Sequence, residues 1–162
     1  MNNTSFSAEN LESLEIDSGI FRAYDIRGIV TKNLTPDIVY WIGRAFATNA
    51  MSRSNSKVVT ARDGRLSSPV LEQALIAGLV AGGMDVVSVG QMPTPVLYYA
   101  THELGTGTGI MITGSHNPPE YNGLKMMIGG VTLAESMIQD LYNNLIKNSL
   151  IKGSGSTSYA NL

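Results

Sequence analysis

The sequence predicts a three-layer α/β/α domain built on a mixed, mostly parallel sheet, and two observations lead there. β-rich runs at 57–61, 85–90 and 109–113 alternate with stretches of helical period, the pattern that crossover connections turn into a parallel sheet covered on both faces. A further apolar run, 124–128, precedes Gly129-Gly130 and Val131-Thr132. It reads as a short hairpin and adds an antiparallel element. The chain has 162 residues, 43% hydrophobic and 15% charged. That is about one domain's length, with enough apolar material for a core and too little charge for global disorder.

Residues 1–19 are polar and without clear period. They read as a partly ordered leader, with a short helical turn near Leu11–Ile16. Phe21–Val30 mixes apolar and charged residues and fits a short strand or extended loop. Thr35-Pro36-Asp37 starts a helix: threonine can cap, proline suits the first helical position, and aspartate favours the positive helix end. Ile38, Ile42, Ala45 and Phe46 then share one face. Asn49 interrupts that stripe, so the helix should end by about Met51. After the strand at 57–61 comes a loop, Arg62–Arg65. Ser67-Ser68-Pro69 opens a second helix, with Leu71, Ala74, Leu75 and Leu79 inward. Gly78 on that face suggests a close approach to the sheet, and Gly82-Gly83 ends the helix.

Pro93-Thr94-Pro95 opens a third helix, closed by Gly105. The strand at 109–113 leads into a loop at 114–119. Asn122-Gly123 is a turn signal ahead of the hairpin. A last helix should span about 133–147, its apolar stripe formed by Leu133, Met137, Ile138, Leu141, Leu145 and Ile146. Gly153–Ser158 has the composition of a linker. The expected divisions are thus leader 1–19, domain 20–150 and linker 151–162.

Composition removes several classes of function. There is no cysteine, hence no disulfide scaffold, thiol nucleophile or cysteine-built metal site. The two histidines, His102 and His116, exclude a histidine-rich metal site. A net charge of −2 without a basic run argues against nucleic acid as a partner. No apolar segment reaches membrane-spanning length, and no basic residue precedes Arg22 as a signal peptide would require. A cytoplasmic protein without membrane partners is the expectation.

In open α/β sheets, ligands bind at the carboxyl ends of the strands. The two loops richest in chemistry, Arg62–Arg65 and Gly114–Pro119, both follow strands and should share that edge. Four of the six arginines, Arg22, Arg27, Arg62 and Arg65, fall in two short segments. They suit either a phosphorylated ligand or plain ion pairing with Asp25 and Asp63. Ser115 in Thr113–Pro119 would sit on an exposed turn whose N–H groups favour an anion, such as a phosphate on the serine. The alternative is a turn whose Ser and Asn bond their own backbone. His116, adjacent to Ser115, is badly placed as its general base, which disfavours a serine hydrolase. Lys125, between Leu124 and Met126, is either partly desolvated and suited to acid–base work or an ordinary outward-facing strand lysine. The six aspartates are scattered, and no complete magnesium site can be drawn.

Four segments in order, FRAYDIRG (21–28), ARDGR (61–65), TGSHNP (113–118) and YNGLK (121–125), resemble the N-terminal domain of the α-D-phosphohexomutases. The likeness is greatest to the bacterial phosphomannomutase/phosphoglucomutase group and covers about residues 20–150. It implies that Ser115 is phosphorylated in the resting enzyme. Ser115 would donate its phosphoryl group to a hexose phosphate, giving a hexose 1,6-bisphosphate that serves as intermediate and activator. Hexose 1-phosphate and 6-phosphate, of mannose or glucose, are thereby interconverted. His116 would position sugar or phosphate, Lys125 would act as general acid/base, and Arg27 would support the phosphoserine. Tyr24 would line the site. Arg62, Arg65 and Asn117 would lie on the substrate and phosphate side, the arginines stabilising loops and charge. Magnesium would bind through the phosphate on Ser115, its other ligands coming from another domain.

Family members have four domains, so the resemblance further implies that the remaining domains of the same polypeptide are partners. As an isolated first domain, this chain would have little activity alone. The alternative is a stand-alone, non-enzymatic module that binds a sugar phosphate or another protein.

Overall fold

A computed structural model describes residues 6–162; the first five residues of the expected leader lie outside it. The chain runs through two single 3-10 turns, Leu11–Ser13 and Ser18–Ile20, then β1 (Ile26–Ile29), α1 (Pro36–Ser52), β2 (Lys57–Arg62), α2 (Ser68–Ala81), β3 (Asp85–Gln91) and α3 (Thr94–Glu103). It continues with β4 (Gly109–Ile112), β5 (Tyr121–Ile128), β6 (Val131–Thr132), α4 (Ser136–Lys147) and β7 (Thr157–Tyr159). The strands form one seven-stranded sheet in the order β1-β5-β4-β2-β3-β7, with β6 paired to β5. Pairing is parallel across β4-β2-β3-β7 and antiparallel where β5 meets β1, β4 and β6. The expected mixed α/β/α architecture is therefore present.

Side-chain alternation sorts the core into two layers. Val58, Val86, Ile110, Ile112, Leu124 and Met126 join the residues of α1, α2 and α4 in one cluster. Val59, Ala61, Val89 and Met111 pack on the other face, with Leu97 and Ala100 of α3. At the start of α1, the Thr35 hydroxyl accepts from the Ile38 N–H (3.4 Å), with Pro36 in the first turn, as the sequence predicts. The polar break at Asn49 has a partner, because the Asn144 side-chain amide of α4 donates to it (2.7 Å). Over its described part the leader lies along α1: the Trp41 indole donates to the Glu9 carbonyl (2.8 Å), and the Glu9 N–H donates to Asp37 (3.2 Å).

Four expectations change. Gly78 faces a helix rather than the sheet, since a Cβ there would overlap the Tyr40 carbonyl oxygen of α1. Asn122-Gly123 is not a turn but lies inside β5. Asn122 is fully buried and donates to Ser67 (2.9 Å) and Ser68 (3.0 Å) at the start of α2. A Cβ at Gly123 would strike the Ile26 carbonyl of β1, so close strand pairing, not turn geometry, selects this glycine. The last helix begins three residues late, at Ser136. Leu133 is buried but still belongs to the hairpin, its N–H donating to the Met126 carbonyl (2.9 Å).

The glycine- and serine-rich tail is docked rather than trailing as a linker. Arg44 donates to the Ile151 carbonyl (2.7 Å), and Ser156 donates to Asp85 from both its N–H (3.1 Å) and its hydroxyl (2.9 Å). β7 then pairs with β3 in register Val86–Thr157. Composition reports the entropy of a free segment and carries no information about a waiting sheet edge.

Candidate active site

β2 has β3 on one side and β4 on the other, and the helices leading to those two strands lie on opposite faces. The carboxyl ends of β2 and β4 therefore border a topological switch point, where open α/β sheets form a crevice. The loops after β2 and β4 leave that edge side by side. The Asp63 N–H donates to the Ile112 carbonyl (2.8 Å), and the Thr113 N–H to the Gly123 carbonyl (3.0 Å).

Ser115 is exposed at the tip of the second loop with φ 51°, a left-handed backbone that is uncommon for serine. Its N–H donates to the Thr113 hydroxyl (3.0 Å). The Gly114 N–H donates to Asp63 (2.9 Å), and both the Asn117 N–H (3.0 Å) and its side-chain amide (3.2 Å) donate to the Gly114 carbonyl. These donors close the loop on itself, as in the second of the two readings of this turn, in which its residues bond their own backbone. Asn117, expected on the phosphate side, is half-buried and directs its amide into the loop. His116 is exposed beside Ser115.

Arg27 and Lys125 share the sheet face that carries α3. Arg27 lies opposite Gly123, and Lys125, two residues further along β5, lies opposite Met111 of β4. Arg27 is only 4% exposed; it donates to the Thr113 carbonyl (2.9 Å) and pairs with Asp25 (2.6 Å). It thereby ties β1 to the base of the serine loop. Lys125 is half-buried, between the two alternatives read from its neighbours. Tyr24 is 70% exposed in the bend before β1.

The other two arginines diverge. Arg65 directs both terminal nitrogens at carbonyls of the serine loop and lies 3.5 Å from Asp63. Arg62 points to the opposite sheet face, where it pairs with the buried Glu72 of α2 (2.9 Å), in a cleft also lined by Tyr40, Ile76 and Tyr159. Strand alternation causes the separation: Arg62 follows the α2-facing pattern of Val58 and Thr60, so it leaves the site although it sits at the correct edge. The ion pairs Arg27–Asp25 and Arg65–Asp63, the plain alternative for these arginines, are both present.

A family model described as phosphoglucomutase/phosphomannomutase, alpha/beta/alpha domain I, matches residues 18–152. The chain belongs to this family. A phosphomannomutase/phosphoglucomutase of Pseudomonas aeruginosa is 49% identical over 147 residues, which is 91% of this chain and 32% of that protein. A phosphoglucomutase of Neisseria gonorrhoeae is 49% identical over 136 residues, covering 84% of this chain and 30% of that protein. A crystal structure of a phosphoglucomutase/phosphomannomutase family protein from Burkholderia thailandensis superposes with a TM-score of 0.87 at 44% identity, over 91% of this chain and 34% of that one. The chain thus spans about a third of the length of these relatives.

Within this family domain, sequence reasoning undervalued Asp63. One oxygen accepts from Ser68 and from the Arg65 N–H (3.0 Å); the other accepts from the Gly114 N–H. The available signal was Asp-Gly-Arg after a strand, since aspartate readily accepts from the backbone two residues on. Burial pushes the Asp63 carboxyl up, but hydrogen bonds from Ser68, the Arg65 and Gly114 amides and Thr113 outweigh it and hold it below its usual 3.8. A depressed native pKa contributes stability above the unfolded value, lost as pH falls through the native one. By weakening these charge-assisted bonds, Asp63→Asn should cost about 1 kcal/mol at neutral pH, since solvent screens the partly exposed carboxylate. In urea titrations the gap to wild type should close as pH drops below 3.8. Glu72 runs the other way. Burial raises it above 4.5 despite Arg62, so its contribution is complete below 4.5 and is lost as pH rises through the higher native value.

Proposed function

We propose that this chain is the phosphoserine-bearing domain of a phosphohexomutase that interconverts the 1- and 6-phosphates of glucose and mannose. The observation that carries the reading is the exposed Ser115 at the β4 loop tip, with Arg27 and Lys125 on the adjoining sheet face. The names of relatives at 49% identity support the substrate class. Because those relatives are about three times as long, the reading includes further domains on the same polypeptide, which would supply the remaining sugar and phosphate contacts.

In this mechanism a hydroxyl of the bound hexose phosphate attacks the phosphorus carried by Ser115. The phosphorus–Oγ bond breaks, the phosphoryl group passes to the sugar, and Oγ takes up a proton. Lys125 takes the proton of the attacking hydroxyl, and the same proton can be returned to Oγ. The reverse step moves the other phosphate of the hexose 1,6-bisphosphate back to Ser115. Such transfers depend on alignment and charge compensation, and a phosphoserine carries about −1.5 to −2 charges at neutral pH. Arg27 fixes the loop base beneath the phosphate, and His116 flanks the nucleophile on the exposed side.

Magnesium does not fit on this chain's residues alone. Among the described residues no three His, Asp or Glu side chains converge, and Asp63 is committed to Ser68 and the Gly114 N–H. No step here runs through the ion.

Intact mass spectrometry tests the reading. The full polypeptide, exposed to glucose 1,6-bisphosphate, should gain one phosphate mapping to Ser115 and should isomerise both hexose 1-phosphates. A protein that turns over hexose phosphate without ever carrying phosphate on Ser115 would refute it.

A further inference from the structure

The guanidinium of Arg65 has five N–H donors in a fixed fork, and the four on its terminal nitrogens all meet backbone carbonyls. Nη1 donates to the carbonyls of Pro118 (2.7 Å) and Tyr121 (3.0 Å). Nη2 donates to those of Asn117 (2.6 Å) and Ser115 (3.2 Å). Nε faces the Asp63 carboxylate at 3.5 Å, and that carboxylate also receives the Gly114 N–H. The fork lies directly against Gly114, where a Cβ would overlap it. One cation thus gathers four carbonyls from Ser115 to Tyr121, and both terminal nitrogens are committed to the loop.

We infer that Arg65 is a positioning residue for phosphoryl transfer, not a phosphate ligand. It holds the serine loop closed in the left-handed conformation that presents the Ser115 hydroxyl outward. The inference rests on Ser115 being the phosphoryl carrier. The loop's remaining ties are short-range bonds within 113–121, single bonds from Asp63 and Arg27, and backbone bonds at its two ends, Thr113 N–H to the Gly123 carbonyl and Val30 N–H to the Glu120 carbonyl, so removing the fork frees several carbonyls at once in the loop's middle. Lysine cannot replace it, because a single ammonium cannot reach carbonyls arranged around a planar fork.

Two variants and two readouts test this. In Arg65→Ala and Arg65→Lys, exchange of the Asn117 and Tyr121 amides should quicken by at least about tenfold, the scale of one lost hydrogen bond, while Ile110 and Met126 amides stay protected. Low-millimolar guanidinium should restore protection in Arg65→Ala but not in Arg65→Lys. In the full polypeptide kcat should fall with the KM for hexose phosphate unchanged, and guanidinium should raise kcat in the alanine variant. Unchanged loop exchange in Arg65→Lys overturns the clamp, and so does a raised KM with kcat intact, which would make Arg65 a substrate ligand. Should the alanine variant not fold, the lysine variant decides on exchange and on the kcat–KM split. A loop that opens as expected while Ser115→Ala keeps full turnover would instead refute the phosphoserine reading, and with it the catalytic purpose of the clamp.

Discussion

Ser115→Ala in the full polypeptide should lower interconversion of hexose 1- and 6-phosphates by at least about 10⁴-fold, the scale on which loss of a covalent nucleophile slows other enzymes. The assay includes hexose 1,6-bisphosphate, so the loss cannot be blamed on an unprimed enzyme. The fold should not suffer. Ser115 is exposed, and among the described residues its hydroxyl holds no hydrogen bond; the loop grips this residue through its N–H and carbonyl. Melting should therefore shift by no more than the equivalent of about 0.5 kcal/mol. Ser115→Gly separates the two roles further: with φ at 51°, glycine removes a steric penalty, and stability should stay within about 1 kcal/mol of wild type while transfer is lost. Near-normal turnover in either variant would exclude a phosphoryl carrier at this position. Labelling of Ser115 by a fluorophosphonate would favour a serine hydrolase.

Gly78→Val should strongly damage the fold. A Cβ at this position overlaps the Tyr40 carbonyl oxygen and comes within 3.0 Å of the Tyr40 carbonyl carbon and 3.3 Å of the Arg44 nitrogen. All three are backbone atoms of α1, which no rotamer change can move. The contact is reciprocal: a Cβ at Gly43 of α1 would lie 2.8 Å from the Leu75 carbonyl of α2. The two helices must separate to admit the side chain, and their shared core of Ile42, Phe46, Leu75 and Leu79 is fully buried. A loss of about 3 kcal/mol or more is expected from overpacking on rigid neighbours, which for a chain of this size lowers Tm by roughly 10 °C. Calorimetry measures it directly. A valine variant that melts with the wild type would show that α1 and α2 do not meet through these glycines.

Much of the fold was legible because it rests on local periods and punctuation. Thr35-Pro36 marks a helix start wherever it occurs, and the alternation of β2, β3 and β4 with α2 and α3 implies its own topology. Legibility failed where a distant partner decides. Asn122-Gly123 has the composition of a turn, but the hydroxyls of Ser67 and Ser68 and the backbone of β1 make it a buried strand. The linker-like composition of Gly153–Ser158 was no guide either, since Asp85 and Arg44, which hold the tail, lie far away in sequence. At the candidate site, the four motifs meet at one sheet edge, and Ser115, Arg27, Arg65 and Asn117 are linked there through hydrogen bonds to one continuous loop. Spacing could not say that Arg62 faces away from its neighbour Arg65, because one step along a strand changes the face. Nor could it show that the side chains of Asn117 and Arg65 donate to carbonyls of the loop.

Both outer seams of the sheet are stitched by segments remote from each other along the chain. Arg27 of β1 reaches Thr113 across 86 residues, and Ser156 beside β7 reaches back 71 residues to Asp85 at the start of β3. A polypeptide emerging from the ribosome can pair β2 with β3 and then β4 early, while β1 waits for β5 and the outer edge of β3 stays bare until residue 159 has been made. Long-range pairing of this kind slows folding, and unpaired edges invite association with other chains. The nascent domain is therefore most exposed to aggregation in the interval between synthesis of β4 and synthesis of β7.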